Sequence, residues 1–355
     1  MTAPVTASAT DDSGRARAHT LLLEWYAREG RAGLPWRATR DPYAILVSEV
    51  MLQQTQVDRV IPKYLAFLDR FPTLAALAEA PIAEVIRAWA GLGYNMRAVR
   101  LQEIARQAQR DFDGKLPETL DDLLRLKGVG RYTAGAVAAF AFGAQVATVD
   151  TNIRRTLWRI FRGIEPLSWP TGEAAARESL ALAEWALPPE RAYDWQQALM
   201  DLGATVCVAR RPACERCPLT EVCAAWAAVG AVTLFPSGEA LARLRDDQAG
   251  DGVTRVAETE AAYTTAQQAR RSRKGAQPFT STTRYFRGRI IAALRALEPG
   301  ASLSLGELGP ITRPDFSDDD LPWLRALVDG LARDGLARLA DGSAGEPAAT
   351  QVSLP

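Results

Sequence analysis

The sequence predicts an all-α protein, because apolar residues recur every three or four positions from about residue 20 to residue 205. Clear examples of this spacing are the segments TLLLEWYAREG, IPKYLAFLDRF and AVRLQEIARQAQRDF. Short segments such as FPTL and GKLPET carry the proline and glycine that end helices and begin turns. No series of strands interrupts this pattern, so we expect a bundle of short helices.

The composition excludes some classes of protein and leaves others open. The chain has 355 residues, 48% of them hydrophobic, which is enough for the cores of two or three domains. Its 42 basic and 42 acidic residues cancel, so net charge favours no class of partner. The first residues, MTAPVTASATDDSGRARAHT, lack the apolar core of a signal peptide, and no run of about 18 apolar residues follows. We expect a cytoplasmic protein that binds no membrane, with a disordered tail over residues 1–19.

The character of the chain changes after residue 230. Residues 231–280 are polar, charged and poorly periodic, which indicates a linker. Residues 281–355 contain two amphipathic segments, RYFRGRIIAALRAL and DDDLPWLRALVDGLARDGL, and then a stretch that can form a short hairpin. This order predicts a small winged-helix-like module. Such a module can place a helix in the major groove of DNA or can serve as an interaction domain, and the pattern leaves both open.

All the cysteines of the chain lie within one short segment, CVARRPACERCPLTEVC. Their spacing is C-x6-C-x2-C-x5-C, and they are Cys207, Cys214, Cys217 and Cys223. A cytoplasmic chain of this size does not need disulfides, so a shared metal site is the sharper interpretation. Four thiolates can hold either zinc or an iron–sulfur cluster, and the spacing does not decide between them. Either group would have a structural role, because four protein ligands leave no open position on a zinc ion.

The segment SEVMLQQTQV places a carboxylate among apolar residues. Asp41 is a typical helix cap and Pro42 suits the first turn, so a helix is predicted to begin here. At helical spacing one face of it would carry Ile45, Glu49, Gln53 and Gln56.

Two further segments place polar groups at helix starts. LLRLKGVGRYTAGAVAAF predicts a helix, a tight turn at Gly128 and Gly130, and a second helix, whose turn N–H groups would form an anion site. In VATVDTNIRRTLWRIF, Asp150 stands at a helix start, where aspartate is commonly only a cap. Asn152 follows it closely.

These motifs, in this order, resemble the MutY family of adenine DNA glycosylases within the endonuclease III superfamily. The resemblance covers about residues 20–230 and rests on PWR (35–37), SEVMLQQTQV (48–57), GLGY (91–94), GVGRYTAGA (128–136) and MDLGATVC (200–207). It implies a helix-hairpin-helix glycosylase fold of two helical subdomains with an iron–sulfur loop. The cofactor implied is a [4Fe–4S] cluster, and zinc remains the alternative.

The resemblance also implies catalytic roles. Glu49 matches the acid that protonates the departing adenine and later activates water, and Asp150 matches the carboxylate that stabilises the cationic sugar. Tyr132 matches a tyrosine beside these acids. Departure of a base leaves an oxocarbenium-like sugar, which is the chemistry of glycoside hydrolysis. An apolar environment would raise the pKa of Glu49 and keep it protonated until needed.

The implied partner is double-stranded DNA with adenine opposite 8-oxoguanine or guanine, bound by a monomer. An enzyme that cuts a base from its sugar must first flip that base out of the duplex. Trp36, Arg37 and Gln197 match residues around the extruded adenine. Positions that wedge into the duplex are matched by Leu52, Gln54, Thr55 and Tyr94. The remaining DNA contacts expected are Gln53, Gly128, Gly130 and Asn152.

Some positions depart from the family pattern. Tyr132 stands where bifunctional relatives carry a lysine, so no amine is placed to form a Schiff base and a monofunctional enzyme without lyase activity is implied. The usual DGN is Asp150-Thr151-Asn152 here, and Asn95 replaces a second tyrosine. No strand-rich NUDIX-like pattern follows residue 237. A mismatch thymine or uracil glycosylase and a non-catalytic DNA-binding protein are the competing hypotheses.

Overall fold

The computed structural model describes residues 11–166, 169–229, 278–340 and 347–355. These residues fall into two compact units that are interleaved along the chain. The first unit draws on Met1–Ala38 and Ala134–Arg273, and the second on Thr39–Thr133 and Lys274–Pro355. Most of the predicted linker over 231–280 lies outside the described residues, as do residues 1–10 of the predicted tail.

Short helices make up the described part of residues 11–229, as the apolar spacing predicts. In chain order they are α1 (Asp12–Glu29), α2 (Pro42–Leu52), α3 (Val57–Arg70), α4 (Leu74–Glu79), α5 (Ile82–Ala88), α6 (Met96–Asp111), α7 (Leu120–Arg125), α8 (Arg131–Phe142), α9 (Thr151–Phe161), α10 (Glu173–Trp185), α11 (Ala192–Thr205) and α12 (Ala224–Val229). Several begin at a residue whose side chain accepts a backbone N–H of the first turn, among them Thr73, Thr119 and Asp150. None of the described helices is both long and apolar enough to cross a membrane.

Helix α1 begins at Asp12, so the prediction of a disordered tail is wrong for residues 12–19. The Asp11 carboxylate caps the helix by accepting a hydrogen bond from the backbone N–H of Gly14 at 2.7 Å. Ala18 is fully buried in the core of the first unit. The composition hides this helix because its buried face begins with the small residues Gly14 and Ala18 rather than with large apolar side chains.

The core of the first unit forms where α11 packs against both α1 and α9. Its large buried side chains include Leu22, Trp25, Leu157, Phe161, Trp195 and Leu202. In the second unit α6 packs against α4 and α5, and α2 packs against α3. Buried side chains there include Phe67, Leu77, Ile86, Trp89, Leu101 and Ile104. Each unit therefore has a core of its own, which fixes the helix ends that carry the predicted site residues.

The C-terminal module has the element order of a winged helix. It consists of α13 (Thr283–Ala296), β1 (Ser302–Ser304), α14 (Leu305–Thr312), α15 (Leu321–Arg333), β2 (Arg338–Ala340) and β3 (Gln351–Ser353). The sheet is antiparallel with β3 in the centre, and Val352 pairs with Leu303 on one side and Leu339 on the other. The predicted winged-helix-like module is confirmed. The sequence pattern misses α14, because the segment LGELGPIT is short and contains glycine and proline.

Candidate active site

Glu49 lies in α2 among buried residues. Asp41 caps this helix by accepting a hydrogen bond from the backbone N–H of Tyr43 at 3.0 Å, and Pro42 occupies the first turn, as predicted. Only 6% of Glu49 is exposed, and its neighbour Val50 is buried with it. Glu49 is therefore largely shielded from water, a position that suits an acid which delivers a proton inside the protein.

The amides that follow Glu49 do not continue its helical face, contrary to the prediction. Helix α2 ends at Leu52, and Gln54 takes a left-handed φ of 56°. Leu52 is half-buried, whereas Gln53 and Gln54 are exposed. The end of the helix therefore separates the carboxylate from the glutamines and turns the QQT loop (residues 53–55) toward solvent.

Arg97, in the first turn of α6, holds this loop. Its Nη1 atom donates hydrogen bonds at 2.7 to 2.9 Å to the carbonyl oxygens of Val50, Met51 and Gln53. Its Nη2 atom donates hydrogen bonds of 3.1 Å to Thr55 Oγ1 and to the carbonyl oxygens of Leu92 and Gly93. Desolvation lowers the pKa of this buried guanidinium to about 10. Arg97 thus stabilises the last carbonyls of α2 and ties the QQT loop to the GLGY loop (residues 91–94).

The sequence reasoning missed Arg97, and the only signal for it is one basic residue close behind the GLGY motif. In that motif Gly91, Gly93 and Tyr94 all have left-handed backbone angles, with φ of 88°, 71° and 47°. This conformation is favourable for glycine but uncommon for tyrosine. The Tyr94 side chain is 38% exposed. The structure therefore brings the predicted wedge residues together on two adjoining loops, with Tyr94 held at the surface.

The predicted helix, glycine turn and helix are present as α7, a turn and α8. Gly128 has a φ of 94°, which favours glycine, and both Gly128 and Gly130 are exposed. Leu126 and Val129 are buried and anchor the turn from below. The turn therefore presents its backbone to solvent at the start of α8, the arrangement that binds phosphate. Tyr132, the second residue of α8, is half-buried.

Asp150 is the N-cap of α9, and one of its two carboxylate oxygens carries out this role. Oδ1 accepts a hydrogen bond from the backbone N–H of Ile153 at 2.6 Å, and Oδ2 accepts one from Asn152 Nδ2 at 3.1 Å. The side chain remains partly exposed. Asp150 therefore does have the common structural role of an aspartate at a helix start, which occupies Oδ1. The side-chain amide of Asn152 orients the other oxygen, Oδ2.

A chain of hydrogen bonds continues from Asn152 into α11 and the segment that follows it. Arg155 Nη2 donates to Asn152 Oδ1 at 3.0 Å and to the carbonyl of Gly203 at 2.7 Å, while its Nε donates to the carbonyl of Cys207 at 3.1 Å. A Cβ on Gly203 would lie 3.0 Å from Asn152 Cβ, which explains the glycine in MDLGATVC. Arg155 lies five residues after Asp150 in the sequence, and no motif marks its role. In the structure Arg155 connects Asn152, which contacts Asp150, to the backbone carbonyl of Cys207.

The residues predicted near the extruded adenine are mostly buried in the first unit. Trp36 is 7% and Gln197 is 5% exposed. Arg37 donates to both carboxylate oxygens of Asp201, at 2.7 and 2.8 Å, and Arg31 donates to the same carboxylate. Burial alone would raise the pKa of Asp201, but the guanidinium of Arg37 and that of Arg31 outweigh it and hold this pKa below its ordinary value. Arg37 therefore anchors the PWR turn to α11.

The four cysteines line one cavity together with Arg159, Trp226 and apolar side chains. None of the four forms a disulfide. Within the described ranges, no three His, Cys, Asp or Glu side chains are placed to hold a single metal ion. Four sulfur atoms around one cavity can hold either a zinc ion or an iron–sulfur cluster. Arg159 Nη1 donates to Cys207 Sγ at 3.4 Å, which places a guanidinium beside one of the four sulfur atoms.

Comparison with known proteins agrees with this arrangement. Residues 47–179 match the HhH-GPD superfamily of base excision DNA repair proteins. Residues 207–223 match the iron–sulfur binding domain of endonuclease III. The four-cysteine segment is therefore an iron–sulfur site, and its cofactor is a [4Fe–4S] cluster.

Solved structures share the fold of the N-terminal part. A thermostable thymine-DNA glycosylase superposes with a TM-score of 0.55 at 32% identity, covering 61% of this chain and 99% of that one. A non-covalent complex of endonuclease III with DNA gives a TM-score of 0.50 at 22% identity and covers 65% of this chain and 98% of that one. The first is a relative in sequence and fold, and the second shows the fold alone.

Curated relatives extend the match along most of the chain. Human adenine DNA glycosylase is 44% identical over 226 residues, which are 61% of this chain and 41% of the human protein. This chain thus matches less than half the length of the human relative. The adenine DNA glycosylase of Mycolicibacterium smegmatis is 37% identical over 333 residues, which are 92% of this chain and 98% of that protein. The chain therefore belongs to the adenine DNA glycosylase family, within the helix-hairpin-helix superfamily of base excision repair proteins.

Proposed function

We propose that this protein is a monofunctional glycosylase that hydrolyses the N-glycosidic bond of adenine opposite 8-oxoguanine or guanine in double-stranded DNA. The observation that carries this proposal is the buried acid Glu49 on α2. It lies next to the solvent-facing QQT loop, which Arg97 fixes through hydrogen bonds. A base must leave the duplex before its glycosidic bond can be reached. The exposed loop can contact the duplex from which the base is flipped, and the buried acid can protonate that base as it leaves.

In the proposed mechanism Glu49 protonates the adenine as it leaves, and the resulting carboxylate then takes a proton from the attacking water. Asp150 stabilises the positive charge that develops on the sugar. Its free lone pairs suit this role, because Ile153 N–H and Asn152 fix the carboxylate without neutralising it. Tyr132 offers no amine, so the sugar is captured by water and the strand is not cut.

The DNA would be bound mainly through contacts to its phosphate backbone, which do not depend on the base sequence. The exposed turn at Gly128 and Gly130 supports a phosphate contact through backbone N–H groups. The QQT loop and Tyr94 would fill the space left by the flipped adenine. Bound through its four cysteines, the [4Fe–4S] cluster would order residues 207–223, whose Arg210, Arg211 and Arg216 are exposed for phosphate contact.

A mismatch thymine or uracil glycosylase is the second candidate, supported by the structural match to a thymine-DNA glycosylase. The buried Glu49 favours adenine, since purine departure needs an acid to protonate the leaving base. Single-turnover assays on duplexes with A, T or U opposite guanine or 8-oxoguanine separate the two. We expect release of adenine from both A-containing pairs. Release of T or U without adenine would overturn the proposal, and release of no base would favour a DNA-binding protein without turnover.

A further inference from the structure

The C-terminal module shares a core with α5 and α6 of the second unit. Ile290, Ile291 and Leu294 of α13 are buried in one cluster with Ile86 of α5, and Val99 of α6 packs against the same cluster. This shared core places α13 beside the GLGY loop, which lies between α5 and α6.

Polar contacts fix α13 in register with this loop. Arg295 Nη2 donates to Asn95 Oδ1 at 2.7 Å, and Arg87 Nη2 donates to the carbonyl of Leu297 at 3.2 Å. Burial lowers the pKa of Arg295 to about 10. Asn95 stands where the family resemblance implies a second tyrosine, and here its side chain accepts a hydrogen bond from the module instead. The contact gives this departure from the family pattern a physical reason.

Arg284, at the start of α13, stacks on Tyr94. Its guanidinium carbon lies 3.9 Å from the centre of the Tyr94 ring, closer than the 5.5 Å of Arg97. Both Arg284 and Tyr94 are exposed. The stack covers one face of the ring and restricts a side chain that stands on an uncommon left-handed backbone angle.

The edge of the Arg284 guanidinium is available for a further contact. Within the described residues no carboxylate pairs with Arg284, whereas Arg287 pairs with Asp334 and Arg289 donates to the carbonyl of Ile311. An arginine that stacks on a ring still presents its N–H donors in a planar fork that matches phosphate. The major-groove mode of winged helices is disfavoured, because α15 begins directly after three aspartates, Asp318 to Asp320.

We propose that Arg284 and Tyr94 form a composite DNA contact, in which Arg284 binds a backbone phosphate next to the point where Tyr94 enters the duplex and holds the tyrosine ring in place. The C-terminal module is then part of the DNA-binding surface through α13. This inference rests on the proposed function, since it assumes that the GLGY loop meets DNA.

The test compares Arg284→Ala, Arg284→Lys and the wild type in equilibrium binding across a salt series. The duplex carries 2′-fluoro-2′-deoxyadenosine opposite 8-oxoguanine, because an electron-withdrawing 2′ substituent slows cleavage. Arg333→Ala is the matched control, since it removes an exposed arginine of the same module. We expect Arg284→Ala to weaken binding about 10-fold and to lower the slope of log K against log salt by about one. Arg284→Lys should keep the slope and recover only part of the affinity, because a lysine lacks the planar stack.

A second comparison tests the stacking partner. In a Tyr94→Leu background the loss of affinity from Arg284→Ala should fall to about half or less, because the ring that Arg284 positions is gone. The Arg284→Ala protein should unfold at the wild-type temperature, since its side chain is exposed. An unchanged affinity and slope for Arg284→Ala, or an equal effect of Arg333→Ala, would overturn the inference while adenine release by the wild type would leave the proposed function standing. Absence of adenine release would instead count against the proposed function alone.

Discussion

Arg97 Nη1 lies 2.7 Å from the carbonyl oxygen of Gln53, and through this bond a residue of α6 determines where α2 ends. Glutamine is a good helix former, so the sequence of the QQT loop does not by itself stop the helix. The helix stops because the buried guanidinium of Arg97 donates hydrogen bonds to its last carbonyl oxygens and to those of the GLGY loop. One side chain therefore sets the geometry of both loops proposed to enter DNA.

Replacing Arg97 should destabilise the fold and disrupt both loops. We expect Arg97→Ala to lower the free energy of unfolding by at least about 2 kcal/mol, because several buried carbonyl oxygens lose their donor. Arg110→Ala, an exposed change on the same helix, should change it by less than about 0.5 kcal/mol. Urea unfolding of the three proteins checks this. Equal midpoints for Arg97→Ala and the wild type would contradict the role given to Arg97.

Gly203 should be needed for the placement of Asn152 and hence of Asp150. A Cβ at position 203 would lie 3.0 Å from Asn152 Cβ and 3.1 Å from Thr156 Oγ1, so these neighbours must shift. We expect Gly203→Ala to slow adenine release about 10-fold or more and to destabilise the protein by about 1–3 kcal/mol. Gly33→Ala is the control, because nothing lies within 4 Å of the added Cβ. A Gly203→Ala enzyme with the wild-type rate of adenine release would refute this link.

The ion pair of Arg37 with Asp201 should make stability depend on acid pH. The folded state holds the pKa of Asp201 below its unfolded value, so the stabilisation is present above about pH 4 and is lost as pH falls through the lowered pKa. We expect Asp201→Asn to cost about 3–5 kcal/mol at neutral pH, because it leaves a buried guanidinium without its charge partner.

The measurement is the urea midpoint at several pH values between neutral and acid. The difference between wild type and Asp201→Asn should shrink as the pH falls below the usual range of a carboxyl group. Asp69→Asn, at an exposed position, should follow the wild type at every pH. A constant difference over the whole range would argue against an ionised Asp201 in the folded protein.

The four cysteines should bind iron rather than zinc. We expect about four iron atoms per chain and a broad visible absorbance in the purified protein. Cys214→Ser should lower both, and the loss of the cluster should weaken DNA binding through the arginines of residues 207–223. A colourless protein that contains zinc would contradict the cofactor assignment.

The sequence predicts those features that depend on a few neighbouring residues. The cap of α2 at Asp41, the turn at Gly128 and the four-cysteine segment are local patterns, and the structure contains all three. Features set by distant residues were missed. Arg97 ends α2 from another helix, and Arg284 reaches Tyr94 from a module about 190 residues further along the chain. The spacing of residues within one segment cannot predict contacts between segments that are far apart in the sequence.

The start of α1 shows a different limit of sequence reasoning. Residues 12–19 are polar or small, which suggests a tail, yet Asp11 caps them and Ala18 packs in the core. Small residues carry little hydrophobic signal even where close packing requires them. The early start of this helix was therefore predictable from its cap but not from its composition.

The central claim is that Glu49 supplies the proton for base departure. The direct test is the single-turnover rate of adenine release from a duplex with adenine opposite 8-oxoguanine, measured for wild type, Glu49→Gln and Glu79→Gln, with duplex affinity measured in parallel. Glu79 is an exposed glutamate of the same unit and serves as the control. We expect Glu49→Gln to lose at least about 10³-fold in rate while its affinity changes by less than about threefold, and Glu79→Gln to match the wild type. Adenine release by Glu49→Gln at the wild-type rate would contradict the account.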